Sequence, residues 1–411
     1  MNEQYDARRA LARFFAANVL FAAGLFVHAF LYNFYLEAVG ASASLMGGAA
    51  ASLTAGGLVA LVPAGRLVDR RGPAAVYIAA ALLTTTGLIA SAYVATPAAV
   101  YGTGFLAGAG TAAWRVAMGP AIMRLTAASL RSRAFSWNVA FLVASGSAWT
   151  ALAGIGPAWF EGRGLDETGG LRGALVTGAL LTLVASAILP GRALSRSAAV
   201  DPASPLPRDV PVARAPRTRL PQGFAAVIVV VAVWMCAGGL VLPFFNVFFQ
   251  RVHGFEIGRI GAIFGAAQLA TAAALAVSAE AASRLGPRRV LLSWTLLFAP
   301  ALIALGWAGS PALAVGLYLI AGFVPPATNP LIDQVLLEDA PPERQGIVST
   351  WRNGATELSG LAGAGLGGIL LDATSFRTLL AVAAVVAATG AIALMISLRR
   401  FGHPGAPKPG L

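Results

Sequence analysis

Long apolar runs, each about the length needed to cross a bilayer, follow one another along the whole chain. A membrane-spanning helix needs about 20 predominantly apolar residues, because the hydrocarbon core is about 30 Å thick and each helical residue rises about 1.5 Å. Short segments rich in Gly, Pro and Arg separate the runs, so the pattern predicts an all-α membrane protein with twelve transmembrane helices. The predicted spans are residues 14–36, 45–65, 74–95, 98–122, 135–156 and 171–190, followed by 223–249, 258–282, 289–309, 312–337, 347–371 and 375–398.

One polar segment divides these spans into two groups of six. Residues 192–222 are rich in Pro, Arg and Ser and have no apolar periodicity, which is typical of a solvated linker. We therefore expect two pseudo-symmetric six-helix bundles, residues 1–191 and 223–400. A cytoplasmic linker at 192–222 joins them, and a cytoplasmic tail follows at 401–411.

The charge distribution predicts the orientation in the membrane. Only 11% of residues are charged, against about 25% in a typical soluble domain. Most of the 29 basic residues lie in segments on one side of the predicted topology, so the positive-inside rule places both termini in the cytoplasm. This topology explains the net charge of +12 without nucleic acid, and we expect an integral protein of the inner or plasma membrane.

The small numbers of cysteine, lysine and histidine residues argue against a disulfide, a P-loop ATPase and a metal site. The single cysteine, Cys236, excludes an internal disulfide, and the only lysine, Lys408, lies in the tail, so a P-loop ATPase is excluded. The three histidines lie far apart in sequence, and no constellation of His, Asp and Ser appears. We therefore expect no metal site, no cofactor and no enzyme activity.

A repeat links the two halves of the chain. LYNFYL at 31–36 and FFNVFF at 244–249 place Asn33 and Asn246 among aromatic residues, 213 positions apart, and RRGPAAV at 70–76 matches RLGPRRV at 284–290 at an offset of 214. Because six spans return the chain to its starting side, the halves are predicted to be parallel repeats related by an axis along the membrane normal. In such repeats the substrate path lies between the halves.

The loop after the second span carries the signature G-x-x-x-D-R-x-G, as Gly65, Asp69, Arg70 and Gly72. With the two six-span halves and the basic linker, this signature resembles the major facilitator superfamily. The resemblance implies secondary transport by alternating access, with Asp69 as a latch at the cytoplasmic start of span eleven, close to Arg352. The alternative is a static ion pair. The second copy departs from the signature, because Ala279 and Ser283 replace its first glycine and its acid.

Charged residues within spans are the strongest candidates for function, because each costs about 2.5–3.5 kcal/mol at the middle of a membrane. Arg115 in span four is predicted to bind an anionic group of the substrate, since the resemblance places spans one, four, seven and ten around the central cavity. The alternative is a buried ion pair that braces two helices. Asn329 occupies the repeat position of Arg115, at an offset of 214.

Glu357, near the middle of span eleven, is the predicted proton-coupling residue, because a carboxyl group in apolar surroundings tends to hold a proton. Asn353, one turn earlier on the same face, is expected to hydrogen-bond it. Asp333 and His28 are further candidates for proton coupling. The alternatives are a neutral glutamic acid that ties helices together, an Asp333 that is solvated or paired with Arg352, and a neutral, hydrogen-bonded His28 that shares a face with Tyr32.

Neutral polar and aromatic residues complete the predicted substrate site, and interfacial anchoring is the alternative for the aromatic ones. The predicted function is secondary active transport of a small organic solute, coupled to protons. Efflux of amphipathic organic compounds is favoured over uptake of an organic anion, and a sensor or binding protein that does not transport is a further alternative. The expected partners are the solute, protons and the lipid bilayer, and we expect a monomer. The predicted substrate contacts are Tyr32, Asn33, Arg115, Phe245, Asn246, Gln268 and Asn329.

Overall fold

Helices make up almost all of the chain that the computed structural model describes, which is residues 2–127, 130–195, 220 and 223–401, and no strand occurs within these residues. Eleven predicted spans each coincide with one helix, and the seventh, 223–249, is covered by two helices and a short turn, so the prediction of an all-α membrane protein is confirmed. The main helices are α1 (Asn2–Ala38), α2 (Ala43–Arg71), α3 (Pro73–Ser91), α4 (Pro97–Leu125), α5 (Arg131–Glu161), α6 (Glu167–Ile188), α7 (Gly191–Ser195), α8 (Phe224–Val241), α9 (Phe245–His253), α10 (Ile257–Leu285), α11 (Pro287–Gly306), α12 (Pro311–Asp339), α13 (Gln345–Ala373) and α14 (Phe376–Phe401).

Ten helical segments of the described chain are long and apolar enough to cross a membrane. The two other predicted spans, α4 and α13, are equally long but rich in glycine and alanine. They also carry Arg115, Arg352 and Glu357. The spans with the weakest apolar signal are therefore those with the most prominent intramembrane charges.

The chain forms two compact units. The first comprises Met1–Arg208 and Phe244–Leu269, and the second comprises Asp209–Pro243 and Ala270–Leu411. Helix α9 and the first part of α10 therefore belong to the first unit. The division into bundles at 1–191 and 223–400 stays a prediction.

The seventh span is interrupted at the boundary between the units. Helix α8 ends at Val241, a short 3₁₀ turn covers Leu242–Phe244, and α9 begins at Phe245. Pro243 lies in this turn. Proline has no backbone N–H to donate and its ring crowds the preceding helical turn, so it commonly breaks a helix.

Small residues allow the helices of each unit to pack closely. In the first unit, a Cβ at Gly108 of α4 would overlap the carbonyl oxygen of Leu53 on α2. In the second unit, a Cβ at Gly363 of α13 would lie 2.7 Å from the carbonyl oxygen of Cys236 on α8. Backbones approach at these points because no side chain separates them.

The repeat is visible in the backbone as well as in the sequence. Gly72, between α2 and α3, has φ +77°, and Gly286, between α10 and α11, has φ +87°. The two glycines are 214 positions apart, and each adopts a conformation that L side chains rarely take. At Gly72 a Cβ would also lie 2.9 Å from Nη1 of Arg124. The last glycine of the loop signature is therefore required by geometry in both halves.

We expect Gly108→Ala to lower the free energy of unfolding by about 1–3 kcal/mol, because the added methyl group would force α2 and α4 apart. Thermal unfolding of the purified protein in detergent would measure the effect. Gly102→Ala is the matched control, since it lies on the same helix with no atom within 4 Å of its Cβ position. Equal shifts in the two variants would contradict the close-packing explanation.

Candidate functional site

The two asparagines of the repeated motif are hydrogen-bonded to each other. Asn33 Nδ2 on α1 donates to Asn246 Oδ1 on α9 over 3.4 Å, and Asn246 Nδ2 donates to the carbonyl oxygen of Phe30 over 2.9 Å. Near the ends of the same two helices, Arg251 Nε lies 2.6 Å from Glu37 Oε1. We call Asn33, Glu37, Asn246 and Arg251 the α1–α9 contact, and it lies within the first unit.

The aromatic residues near this contact are packed against other protein groups. Tyr32 and Phe245 are both buried. The Tyr32 ring stacks on His28 with centroids 4.4 Å apart, and the Phe245 ring meets Phe248 edge-on at 6.3 Å. These rings form part of the core of the first unit, and their contact with a solute stays a prediction.

His28 is a buried, hydrogen-bonded histidine. Its Nε2 lies 3.0 Å from Ser91 Oγ, and the Ser91 hydroxyl donates to the carbonyl oxygen of Leu88 over 2.7 Å. The stacking on Tyr32 confirms that the two side chains share a face. A role of His28 in proton coupling stays a prediction, as does solute binding by Gln268, which is half-buried on α10.

Arg352 is a buried residue at the centre of a polar cluster in the second unit. Its guanidinium donates to Asn329 Oδ1 over 2.7 Å and to Asn353 Oδ1 over 2.8 Å, and its Nε lies 3.3 Å from Asp333 Oδ1. Only 5% of Arg352 is exposed. We call Asn329, Asp333, Arg352 and Asn353 the Arg352 cluster. Asp333 is thus paired with Arg352, one of the two arrangements expected for it.

Glu357 lies on α13 beyond this cluster. The expected hydrogen bond from Asn353 is wrong for this structure, because Asn353 Oδ1 accepts from Arg352 and Nδ2 donates to Ser349 Oγ over 3.4 Å. Glu357 is half-buried, and within the described residues it has no ion pair and no side-chain hydrogen bond. Its carboxyl group is consequently not engaged by a charge.

Arg115 differs from Arg352 in its surroundings. It lies about 6 Å from the middle of α4, its side chain is exposed, and the described residues offer it neither an ion pair nor a side-chain hydrogen bond. The ion pair expected as an alternative is therefore not formed by the described residues. Intramembrane charges generally face the bundle interior or a water-filled cavity. A guanidinium in such a place offers five N–H donors to an incoming group.

The loop signature lies at the end of α2. Asp69 and Arg70 are exposed there, Gly65 is half-buried and Gly72 makes the turn to α3. Arg352 contacts partners within its own unit, and the latch between Asp69 and the start of span eleven stays a prediction. The described residues contain no group of three or more His, Cys, Asp or Glu side chains that would hold a metal ion.

Sequence analysis missed two sets of polar residues. Glu37 and Arg251 form an ion pair, and Asn18 and Asn138 form a buried hydrogen bond. The repeat offset contains a signal for both sets, because Arg251 follows Glu37 by 214 positions and Arg352 follows Asn138 by the same number. Comparing polar residues at this offset would have found them.

Comparisons with known proteins agree with this architecture. The family model of the Major Facilitator Superfamily matches residues 14–277 and 235–410. No curated protein matches the chain by sequence. The fold is similar to that of several solved transporters at low sequence identity.

Three of these structures illustrate the likeness. A bacterial homologue of the iron transporter ferroportin, in an inward-facing state, has a TM-score of 0.75 at 15% identity, covering 95% of this chain and 98% of that one. A bacterial homologue of the human lysosomal transporter Spinster, inward-facing and occupied, has a TM-score of 0.71 at 14% identity, covering 97% and 96%. A D-xylose–proton symporter has a TM-score of 0.68 at 15% identity, covering 95% and 96%.

The family match spans nearly the whole chain, and it agrees with the helices, the duplicated halves and the loop signature described above. The chain therefore belongs to the major facilitator superfamily, and it is an integral membrane transporter rather than an enzyme.

Proposed function

We propose that this transporter takes up a small organic anion together with a proton. In this proposal Arg115 binds the anionic group and Glu357 carries the proton. The protein lies in the inner or plasma membrane with both termini in the cytoplasm, as the arginine distribution suggests. The observation that carries the proposal is the exposed Arg115, which lacks an ion-pair partner in the described chain.

The contrast between the two intramembrane arginines supports the role of Arg115. Arg352 is buried and has an aspartate and two amides around it, which is what an arginine with a structural role requires. Arg115 has no such surroundings. A carboxylate or phosphate would accept two parallel N–H donors from its planar guanidinium, which makes arginine well suited to such groups.

The membrane potential opposes uptake of an organic anion, so a coupled proton is useful for uptake rather than for export. An organic anion leaves a cell with a negative interior without further energy, because each charge gains about 2.3 kcal/mol per 100 mV. Uptake has to work against this potential and needs a coupled cation. A proton carried with the anion compensates its charge, so an anion site and a protonatable carboxyl group are useful together in a symporter.

Glu357 is the candidate for the proton because, unlike Asp333, it makes no ion pair within the described chain. Asp333 lies beside the Arg352 guanidinium, whose Nε is 3.3 Å from Asp333 Oδ1. Glu357 is half-buried without such a partner in the described chain. The D-xylose–proton symporter shares the fold, so proton coupling is compatible with this architecture.

The α1–α9 contact is, we further propose, the closed external gate. The positive-inside orientation puts the end of α1 outside. Alternating access requires that a barrier on each side of the binding site open in turn. The contact joins repeat-related positions of spans one and seven, so opening it would move α9 away from α1 at the external side.

Efflux of amphipathic compounds receives less support. That expectation rested on aromatic side chains as solute contacts. Tyr32 and Phe245 are buried against protein rings, which suits a gate better than an open binding surface. Including neutral amphipathic dyes in the transport assay tests this second function directly.

We expect Arg115→Gln to raise the KM for the transported anion at least tenfold, because hydrogen bonds to a charged group contribute about 1.5–3 kcal/mol. The measurement is the concentration dependence of uptake into reconstituted vesicles, with carboxylates, organic phosphates and neutral dyes as the solute panel. Arg133→Gln, an exposed arginine at the start of α5, is the matched control and should leave KM unchanged. If Arg115→Gln leaves KM unchanged for each transported anion, the anion-site assignment fails.

We expect Glu357→Gln to abolish accumulation driven by a pH gradient but to preserve exchange of solute across the membrane, because the amide cannot release a proton. Vesicles with an imposed pH gradient, assayed with and without an imposed potential, separate the two activities. Glu343→Gln, an exposed glutamate outside the spans, is the control. Full accumulation by Glu357→Gln would refute proton coupling through this residue.

We expect Glu37→Gln to increase opening of the gate by up to about fivefold, since a partly exposed ion pair contributes about 0.2–1 kcal/mol. The reporter is Val247→Cys in a Cys236→Ser background, labelled by a membrane-impermeant thiol reagent added from outside; Val247 is only 1% exposed and is not one of the four residues of the contact. Glu161→Gln, an exposed glutamate at the end of α5, is the control. Equal labelling rates with and without Glu37→Gln would remove the pair from the gate.

A further inference from the structure

A long apolar groove lies between α5 and α6 in the first unit. Its volume is about 470 Å³, and it is lined by residues of α5 between 149 and 160 and residues of α6 between 174 and 181. Val27 of α1 and Ala153 are buried at its base, whereas Leu152 and Ile155 are exposed at its rim. Because the rim is apolar and lies within a membrane span, the groove opens toward lipid.

The groove has the depth of one leaflet of a bilayer. Trp159 and Trp149 line it and are ten positions apart on α5, which corresponds to about 15 Å along a helix. This is half of the hydrocarbon core, which is about 30 Å thick. Helix α5 ends at Glu161, so the groove runs from the membrane interface to the middle of the bilayer.

The lining offers almost no polar groups. Thr177 carries the only hydroxyl group, and it donates to the carbonyl oxygen of Gly173 in its own helix over 2.8 Å. The other polar side-chain groups are the indole N–H groups of Trp149 and Trp159. A polar solute would lose its hydration in the groove without gaining equivalent hydrogen bonds. The groove therefore suits a hydrocarbon chain.

A guanidinium is held at the interfacial end of the groove. Arg163 Nη1 donates to the carbonyl oxygen of Trp159 over 2.8 Å, and Arg163 Cζ lies 3.3 Å from the centroid of the Trp159 ring. These contacts orient the guanidinium beside a residue that lines the groove. Within the described residues Arg163 has no ion pair, so N–H groups are left for a phosphate group, which readily accepts them.

The loop around Arg163 also carries negative charge. Asp166 is the N-cap of α6 and accepts from the Gly169 N–H over 3.0 Å. Glu161 and Glu167 are exposed and have no ion pair within the described residues. A purely anionic headgroup would be repelled by these carboxylates. A headgroup with both a phosphate and an ammonium group complements both signs of charge.

We propose that this groove binds one acyl chain of a zwitterionic phospholipid, whose phosphate contacts Arg163 and whose ammonium group lies beside Glu161 and Glu167. The acyl chain fills the space between α5 and α6 and supplies contacts that the two helices lack there. The site depends on the proposed function only for its side of the membrane, because the positive-inside orientation places it in the outer leaflet. It is separate from Arg115, which lies on α4.

The test uses the full-length protein in detergent micelles with a phosphatidylethanolamine that carries a photoactivatable diazirine in its acyl chain. Mass spectrometry of the cross-linked peptides should find the label concentrated in residues 149–160 and 174–181. Unlabelled phosphatidylethanolamine should compete best, and phosphatidylglycerol less well. Diacylglycerol, which has no phosphate, should compete about fivefold less well, the contribution of one arginine near a membrane surface.

The competition experiment can overturn each part of the proposal without a variant. A label concentrated in other helices would overturn the site. Diacylglycerol competing as well as phosphatidylethanolamine would overturn the role of the phosphate, and phosphatidylglycerol competing as well would overturn the preference for a zwitterion. Neutral dyes that displace the label when phospholipids do not would assign the groove to a solute and overturn the lipid.

Two variants separate the chain from the headgroup. Thr177→Trp fills the groove from an exposed position and should abolish the label, whereas Leu180→Trp, exposed on the same helix outside the groove, is the control and should retain it. Arg163→Gln should weaken competition by phosphatidylethanolamine about fivefold and leave competition by diacylglycerol unchanged. Its control is Arg377→Gln, an exposed arginine stacked on Trp307 in the second unit. Full labelling of Thr177→Trp, or unchanged competition in Arg163→Gln, would overturn the proposal, and neither readout depends on transport through Arg115.

Discussion

Desolvation of charge is the constraint on which the organisation of this transporter depends. A guanidinium in the middle of a membrane costs about 2.5–3.5 kcal/mol on insertion scales, and an unpaired buried charge costs more. The chain carries two such groups and treats them differently. Arg352 is enclosed by a carboxylate and two amides, whereas Arg115 remains exposed. The first arrangement is complete without a ligand, and the second leaves donors available for one.

Duplication supplied the scaffold for both arrangements. Gly72 and Gly286 retain the same unusual backbone conformation, which shows that the turns of the two halves are under the same geometric demand. The polar positions of spans four, five, ten and eleven have diverged instead. Exchanging arginine and asparagine between repeat-related positions changes which helix carries the charge. A symmetric scaffold thereby acquires an asymmetric interior, as a site for an asymmetric solute requires.

Much of the fold follows from the sequence because span length and apolar content are properties of single segments. The twelve spans could be predicted in this way, and the pairing of Asp333 with Arg352 was one of two arrangements expected for Asp333. Contacts between distant segments could not. That Asn33 meets Asn246, or that Asn353 turns from Glu357 to Arg352, depends on which helix faces which, and one-dimensional patterns carry little of that information. The repeat offset is the best guide to such contacts in the sequence. It relates Asn33 to Asn246 and Glu37 to Arg251, and both pairs are in contact in the structure.

The strengths of the polar contacts differ in a way that fits their proposed roles. The Arg352 cluster combines several charge-assisted hydrogen bonds around a buried side chain, and such a cluster is costly to separate. The α1–α9 contact consists of a 3.4 Å amide bond, a bond to a backbone carbonyl and an ion pair whose arginine is 42% exposed. Neutral hydrogen bonds contribute about 0.5–1.5 kcal/mol net, and exposed ion pairs contribute about 0.2–1 kcal/mol. A gate has to open in each transport cycle, so its contacts must be weak enough for thermal motion to break. Helices that move as one body need contacts that thermal motion does not break. In the proposed scheme the α1–α9 contact meets the first requirement and the Arg352 cluster meets the second.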